Sequence, residues 1–367
     1  MAYDYLPIMN GKRRDPIAWS VRFFLWCASI VYRLIVMRRN HQFDIGKYPC
    51  FKAGVPVISV GNLTTGGTGK TPIVCYLAGY LRARGLRVAI VSRGYGRGDA
   101  DCNDEALELY DRLPDVPHLQ DPDRVISAKI AVEELGAEII LMDDGFQHRH
   151  LHRDLDIVAI DATEPFGFGH CLPRGLLREP LSGLKRAGVI LLTRSDQADP
   201  GRVEWIQNVV REHSGQICLV QSQHSPSGLF EIPDTVHPIE ELDGAKIAAL
   251  SAIGNPQAFE RTLRAAGATI VSSRRLSDHN PFHPETVDEL RRWVADLGEE
   301  IDQVICTHKD LVKLQMDRLG GRPVRALQVQ LQVNHGEAEL EERLQGVVKQ
   351  IMESSEAKRL HASDDLL

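Results

Sequence analysis

The sequence predicts an α/β protein: a mostly parallel sheet domain, then a second, smaller α/β domain, with a membrane-associating helix ahead of both. Three observations carry this. Short β-branched apolar runs alternate with helix-compatible segments along most of the chain, the order that builds parallel sheets from strand–helix–strand units. One such run, residues 55–60, passes into a Gly-rich loop ending in Gly69-Lys70-Thr71, and an apolar helical segment follows Pro72. Near the N-terminus, an apolar stretch at residues 17–37 is bracketed by basic residues.

The N-terminal stretch comes first in the chain. Lys12, Arg13 and Arg14 precede it, Arg38 and Arg39 follow it, and Arg22 and Arg33 interrupt it. A bilayer span needs about 20 apolar residues, and the longest uncharged run, residues 23–32, is too short. Arg22, Ser29 and Arg33 share one face of a helix, and Phe, Leu, Ile and Val fill the others. Trp19, Trp26 and Tyr32 are rings of the kind found at headgroup level. An in-plane interfacial helix on an anionic membrane surface accounts for this pattern. An amphipathic helix of the protein core is the competing reading. A secretory signal is disfavoured because no small-residue cleavage site follows.

The loop at residues 64–71, Thr64-Thr65-Gly66-Gly67-Thr68-Gly69-Lys70-Thr71, has the context of a phosphate-binding loop: strand before, helix after. Its glycines allow successive backbone N–H groups to close round phosphate oxygens. Lys70 would reach the β- and γ-phosphates of a nucleoside triphosphate, and the Thr71 hydroxyl would sit on Mg²⁺. Thr64 stands where the usual spacing has its first glycine, and Gly66 and Gly67 supply the flexibility instead.

A helix running to Arg84 and stopped by Gly85 follows, then a strand at 88–91 that leads into Ser92-Arg93-Gly94-Tyr95-Gly96-Arg97. Arg93 and Tyr95, just past a strand end, lie where open α/β sheets place ligands. Residues 98–105 read as an acidic loop and 124–136 as a helix. The next strand ends in Asp143-Asp144, the pattern that holds Mg²⁺ opposite the loop threonine. Two adjacent carboxylates are costly without a nearby cation, and which of them would touch the metal stays open. Gln147 and His148 continue this turn and are candidates for substrate contact. His148, His150 and His152 alternate, but they lack the ligand set of a transition-metal site.

Residues 156–161 and 189–193 are two further strands, separated by a Gly/Pro-punctuated loop carrying Arg174, Arg178, Lys185 and Arg186, suited to an anionic substrate. Thr193-Arg194-Ser195-Asp196 faintly echoes a guanine-reading motif, with two of its four positions different. The polar, Ser/Gln/Pro-rich stretch 213–237 reads as an inter-domain linker. It divides a first domain at 41–212, behind the membrane-associating segment 1–40, from a C-terminal α/β domain at 238–353. A polar, frayed tail occupies 354–367. The second domain carries two polar turns, Ser277-Asp278-His279-Asn280-Pro281 and Thr307-His308-Lys309-Asp310.

Composition excludes several classes. With 367 residues, 43% hydrophobic and 25% charged, the chain is neither disordered nor a polytopic membrane protein. A net charge of −7 argues against nucleic acid as a partner. The seven cysteines are scattered and form no C-x-x-C pair, which suits a reducing compartment and argues against a zinc site.

In combination, the motifs resemble the tetraacyldisaccharide 4'-kinase family, the lipid A 4'-kinases of Gram-negative bacteria. The resemblance rests on PVISVGNLTTGGTGKTP at 56–72, SRGYGR at 92–97, DDGFQH at 143–148, LPRGLLREPLSGLKRA at 172–187, LSDHNPF at 276–282 and THKDLVKL at 307–314, in that order over nearly the whole chain. It includes the threonine at position 64. It implies phosphorylation, dependent on ATP and Mg²⁺, of the 4'-hydroxyl of a tetraacylated glucosamine disaccharide 1-phosphate, giving lipid IVA at the cytoplasmic face of the bacterial inner membrane. It also implies an active site in the cleft between two α/β domains. The family's base is the aspartate of a G-D-E-P motif, paired with the histidine of an A-D-H motif. Here Asn103-Asp104-Glu105-Ala106 is the counterpart, so the resemblance assigns the base to Asp104 and its partner to His279, while Lys70, Thr71, Asp143 and Asp144 carry over directly. A membrane-associated P-loop GTPase or ATPase switch is the alternative of a different class; it would release only inorganic phosphate.

Overall fold

The computed structural model describes residues 6–94, 104–278 and 280–364, with the backbone alone described at 6, 104, 105 and 354–364. Tyr95, His279 and the Asp104 side chain lie outside the described residues.

The first half contains β1 (Val57–Asn62), β2 (Val88–Ser92), β3 (His118–Gln120), β4 (Ile139–Asp143), β5 (Leu155–Asp161) and β6 (Val189–Thr193). The second contains β7 (Cys218–Glu231), β8 (Thr235–His237), β9 (Lys246–Ser251), β10 (Thr269–Arg275), β11 (Gln303–Thr307), β12 (Arg318–Leu319) and β13 (Arg322–His335). The helices are α1 (Leu6–Met9), α2 (Pro16–Asp44), α3 (Lys70–Arg82), α4 (Asp104–Arg112), α5 (Arg124–Glu133), α6 (Pro200–Ser214), α7 (Pro256–Ala265), α8 (Pro284–Leu297), α9 (His308–Leu314) and α10 (Glu337–Asp364).

One sheet runs through both halves in the order β10-β9-β11-β13-β7-β6-β5-β1-β4-β2-β3. Its pairs are parallel except at β7–β13 and at the short flaps β8 and β12. Strands β1, β2, β4, β5 and β6 are buried along their whole length, as parallel strands covered on both faces must be. On one face Ile73, Leu77 and Leu81 of α3 pack with Leu340, Leu344 and Ile351 of α10, which returns from the second half to cover the first. On the other face, Ala128 and Ala131 of α5 pack against Ile140 and Met142, and Ile206 and Val210 of α6 against Val158 and Ile190.

The stretch 213–237, read from the sequence as a linker, is largely strand. β7 pairs parallel with β6 through Cys218 to Gln221, then antiparallel with β13 as far as Phe230, and so joins the two parallel regions. A register shift opposite Pro226 and Gly228 accommodates the missing proline N–H. Pairing with two neighbours overrides the weak strand propensity of Ser, Gln and Pro. The C-terminal helix also runs past the expected tail boundary, to Asp364. The segment expected as acidic loop becomes helix α4 from Asp104 onward.

Helix α2 starts at an Asp15 cap, with the Ala18 N–H donating to Asp15 Oδ1 at 3.0 Å and Pro16 at the first helical position. It docks by a narrow stripe of small and polar residues. Ser29 Oγ donates to the Cys171 carbonyl (2.8 Å), Tyr32 Oη to the Arg178 carbonyl (2.8 Å), and Asn40 Nδ2 to Glu179 (3.1 Å). Tyr32 therefore faces the protein, not a headgroup layer. The apolar side chains point away from the body: Trp19 is 66% exposed, Phe24 71% and Ile35 63%. The helix is long and apolar enough to cross a membrane by length and composition. The core-helix reading fails, because its apolar faces are not in the core.

Candidate active site

The carboxyl ends of β1, β4, β5 and β6 converge on one crevice, where open α/β sheets bind ligands. The loop from β1 to α3 is held there by its neighbours. Asn62 Nδ2 donates to the Thr64 carbonyl (2.7 Å), the Thr65 N–H to Leu176 O (2.8 Å), and Thr193 Oγ1 to Thr68 O (2.9 Å). Arg194 donates to Gly67 O at 3.2 Å and pairs with buried Asp161. The Thr193–Asp196 segment, with its echo of a base-reading motif, thus supports the phosphate loop through Thr193 and Arg194. Gly66 (φ 118°) and Gly69 (φ 78°) occupy conformations that other residues rarely adopt. A Cβ on Gly69 would lie 2.4 Å from the imidazole of His224 on β7.

Residues Thr65 to Thr71 line a cavity of about 920 Å³. Thr64 is buried beneath the loop, bridged to Leu177. The cavity extends to Tyr32, Val36 and Arg39 of α2 on one side and to Ile253, Gly254 and Phe259 of the second half on the other. Gly254 crosses so near the phosphate loop that a Cβ there would lie 3.0 Å from Gly67 N.

Asp143 is 5% exposed at the end of β4 and accepts the Asp144 N–H on Oδ1 (2.9 Å). Asp144 adopts φ 50°, a left-handed conformation that aspartate tolerates better than most residues. Its carboxylate pairs with Lys70 Nζ (3.3 Å) and accepts Arg178 Nη1 at both oxygens (2.7 and 2.9 Å). Burial opposes its ionisation, but Lys70 and Arg178 outweigh burial and hold it well below the usual carboxylate range. Lys70 therefore sits at the mouth of the loop beside a carboxylate that stays charged.

Of the candidate substrate residues, Arg93, Gln147 and His148 line the cavity. The Gln147 amide donates to Asn62 O (2.9 Å) and to Glu179 (2.8 Å), tying the strand end to the basic loop. His148 is held neutral, burial pushing its pKa down to about 4. Tyr95, Asp104 as a side chain, and His279 are outside the described residues, but Asp278, adjacent to His279, lines the cavity. Most of the loop arginines do internal work. Arg174 donates to Met9 O, and Arg186 pairs with fully buried Glu179 while lying 4.3 Å over the Phe146 ring. Of the loop's described arginines, Arg178 is the one that bonds the Asp144 carboxylate. The sequence marked it only as one base among four, because its partner lies 34 positions away.

Among the described residues no group of three or more His, Cys, Asp or Glu is arranged to hold a metal. A loop hydroxyl and a strand-end carboxylate, with substrate phosphates completing the shell, form the all-oxygen donor set that suits Mg²⁺, not the nitrogen and sulfur set of a zinc or copper site.

A parallel sheet, a glycine loop closing on a lysine and a carboxylate pair at the neighbouring strand end define a P-loop phosphotransferase. Comparison with known proteins narrows the class. The model of the tetraacyldisaccharide-1-P 4'-kinase family (LpxK) matches residues 21–349. A tetraacyldisaccharide 4'-kinase of Anaeromyxobacter dehalogenans is 39% identical over 91% of this chain and 92% of its own length, and one of Geobacter sulfurreducens is 35% identical over 84% and 88%. The crystal structure of LpxK from Aquifex aeolicus in complex with ATP superposes with a TM-score of 0.69 at 30% identity, covering 90% of this chain and 99% of that one. The chain belongs to the tetraacyldisaccharide-1-P 4'-kinase family.

Proposed function

We propose that this cleft transfers the γ-phosphoryl group of ATP to the 4'-hydroxyl of a tetraacyldisaccharide 1-phosphate, the lipid A 4'-kinase reaction. The observation that carries the reading is Lys70, paired with Asp144 and Arg178, at the mouth of a glycine loop in a cavity that also reaches α2. Nucleotide phosphates would lie along Thr65 to Thr71, with Lys70 stabilising charge that grows on the β–γ bridge. Thr71 and a carboxylate of the Asp143-Asp144 pair would hold Mg²⁺. The ion, when bound, supplies charge neutralisation and phosphate alignment.

Asp104, at the start of α4, would take the hydroxyl proton, with His279 holding it in line. A general base of this kind contributes roughly 10²–10⁴-fold. Arg93, Tyr95, Gln147 and His148 would face the sugar. Residues 41–212 supply the nucleotide chemistry in this reading, and residues in 238–353 cover it. Helix α2, docked by its polar stripe, would lay Trp19, Phe23, Phe24 and Trp26 into the anionic cytoplasmic leaflet and bring the cleft to a substrate that stays in the bilayer. Incubation with γ-labelled ATP, Mg²⁺ and tetraacyldisaccharide 1-phosphate tests the reading. Labelled lipid on a thin-layer plate is the expected result. Label found only as inorganic phosphate would favour a nucleotide switch instead.

A further inference from the structure

The Thr307-His308-Lys309-Asp310 turn has no part in the chemistry above, yet it touches both sides of the cleft. Asp310 is fully buried, and its Oδ2 accepts Thr307 Oγ1 (2.6 Å) and the Ala252 N–H (3.2 Å). Ala252 leads directly into Ile253-Gly254, the segment that crosses the phosphate loop at Gly67. Two residues earlier, His308 lines the same cavity and makes its contacts with α4 and β7. It is 4% exposed, its ring stacks on Phe230 (centroids 5.0 Å apart, planes at 12°), and its Nε2 lies 3.3 Å from Asp111 Oδ2 on α4. The neighbouring Arg112 donates to the Val329 carbonyl of β13 at 2.5 Å and pairs with Glu108 at 3.2 Å. Helix α4, which belongs to the first half by sequence, is therefore gripped by the second half at consecutive residues.

We propose that His308 and Asp111 are positioning residues for the transfer step: their pair fixes the rotation and register of α4, and so the place of Asp104, the residue that opens this helix. The inference rests on the reading of Asp104 as base. Asp104 and Asp111 are seven residues apart, two turns, and so occupy the same face of the helix. A helix is stiff over that length, so a grip at Asp111 is felt at Asp104. Phe230 holds the imidazole plane and Asp310 holds the turn that carries it. Misplacement of a reacting group by about 1 Å costs on the order of 10²-fold in rate, so the grip should appear in kcat rather than in substrate affinity.

Asp111→Ala is the primary test, because this side chain is 44% exposed and its loss leaves the core intact. It should lower kcat roughly 10- to 10²-fold while KM for ATP and for the lipid stays within about twofold. His308→Leu should do the same, and His308→Gln, which keeps a donor near Nε2, should restore most of the rate. In an Asp104→Ala background, Asp111→Ala should cost no further turnover. Wild-type kcat in Asp111→Ala, or a loss that multiplies in full with that of Asp104→Ala, overturns the positioning role while the base assignment stands. Wild-type kcat in Asp104→Ala alone overturns the base assignment, and with it the route through α4.

Discussion

Lys70 Nζ lies 3.3 Å from Asp144 Oδ1, and Arg178 closes on the same carboxylate at 2.7 Å. The anion holds the lysine at the loop mouth, but it also repels incoming phosphate. Asp144→Asn should therefore lower kcat by roughly 10²-fold, a loss of the size seen when one preorganised electrostatic partner is removed. Affinity for ATP should stay constant or rise. Steady-state kinetics and calorimetric ATP binding on one preparation separate the two effects. Weakened binding with unchanged kcat would contradict the arrangement.

Gly61 in β1 has no room for a side chain. A Cβ there would lie 2.6 Å from Phe146 Cβ and 2.7 Å from Phe146 N, in the turn that follows the carboxylate pair. Gly61→Ala should destabilise the fold by about 1–3 kcal/mol, the usual cost of overpacking a core. It should also displace Asp144, so activity should fall even at temperatures where the variant is folded. A denaturation midpoint equal to wild type would contradict the close approach.

His118 is buried, its Nε2 lies 2.8 Å from Ser92 Oγ, and burial pushes its pKa down from 6.5 to about 4. The unfolded chain binds this proton first. The stability contributed is present above about pH 6.5 and is lost as pH falls through about 4, with a slope of up to about 1 kcal/mol per pH unit. His148 acts in the same sense, with its pKa also near 4. His118→Gln keeps a polar group beside Ser92 but cannot titrate. Urea midpoints between pH 7 and 4.5 should fall less steeply in this variant, and parallel profiles would sink the argument.

Trp19, Phe23 and Phe24 lie on the outward side of α2, exposed by 66, 60 and 71%. Replacing all three by serine should weaken sedimentation with anionic liposomes by at least about tenfold, because their apolar area drives insertion. Turnover on detergent-dispersed substrate should hold, since the contacts through Ser29, Tyr32 and Asn40 are untouched. Undiminished liposome binding would remove the membrane role from this face.

What the sequence disclosed was local. The run into Gly69-Lys70-Thr71 and the apolar strand ending in Asp143-Asp144 each state their geometry within a few residues. Ser29 belongs to a polar face visible in the spacing, but only the folded chain turns that face inward, onto Cys171. β7 was illegible because its strand character comes from β6 and β13 rather than from its own residues. The Arg178–Asp144 pair, the His224 ring against Gly69 and the His308–Asp111 pair join positions far apart in the chain, and no local pattern announces them.

In the proposed reaction, Lys70 and its loop deliver phosphate to a sugar hydroxyl of a lipid. The most direct measurement is a ³¹P–¹H correlation spectrum of the lipid after reaction with ATP, for the wild type and for Lys70→Ala. A new phosphomonoester correlated with the 4'-proton of the disaccharide, formed by the wild type and reduced at least about 10²-fold by Lys70→Ala, is the predicted result. Phosphate on another hydroxyl, free phosphate alone, or full product formation by Lys70→Ala would contradict it.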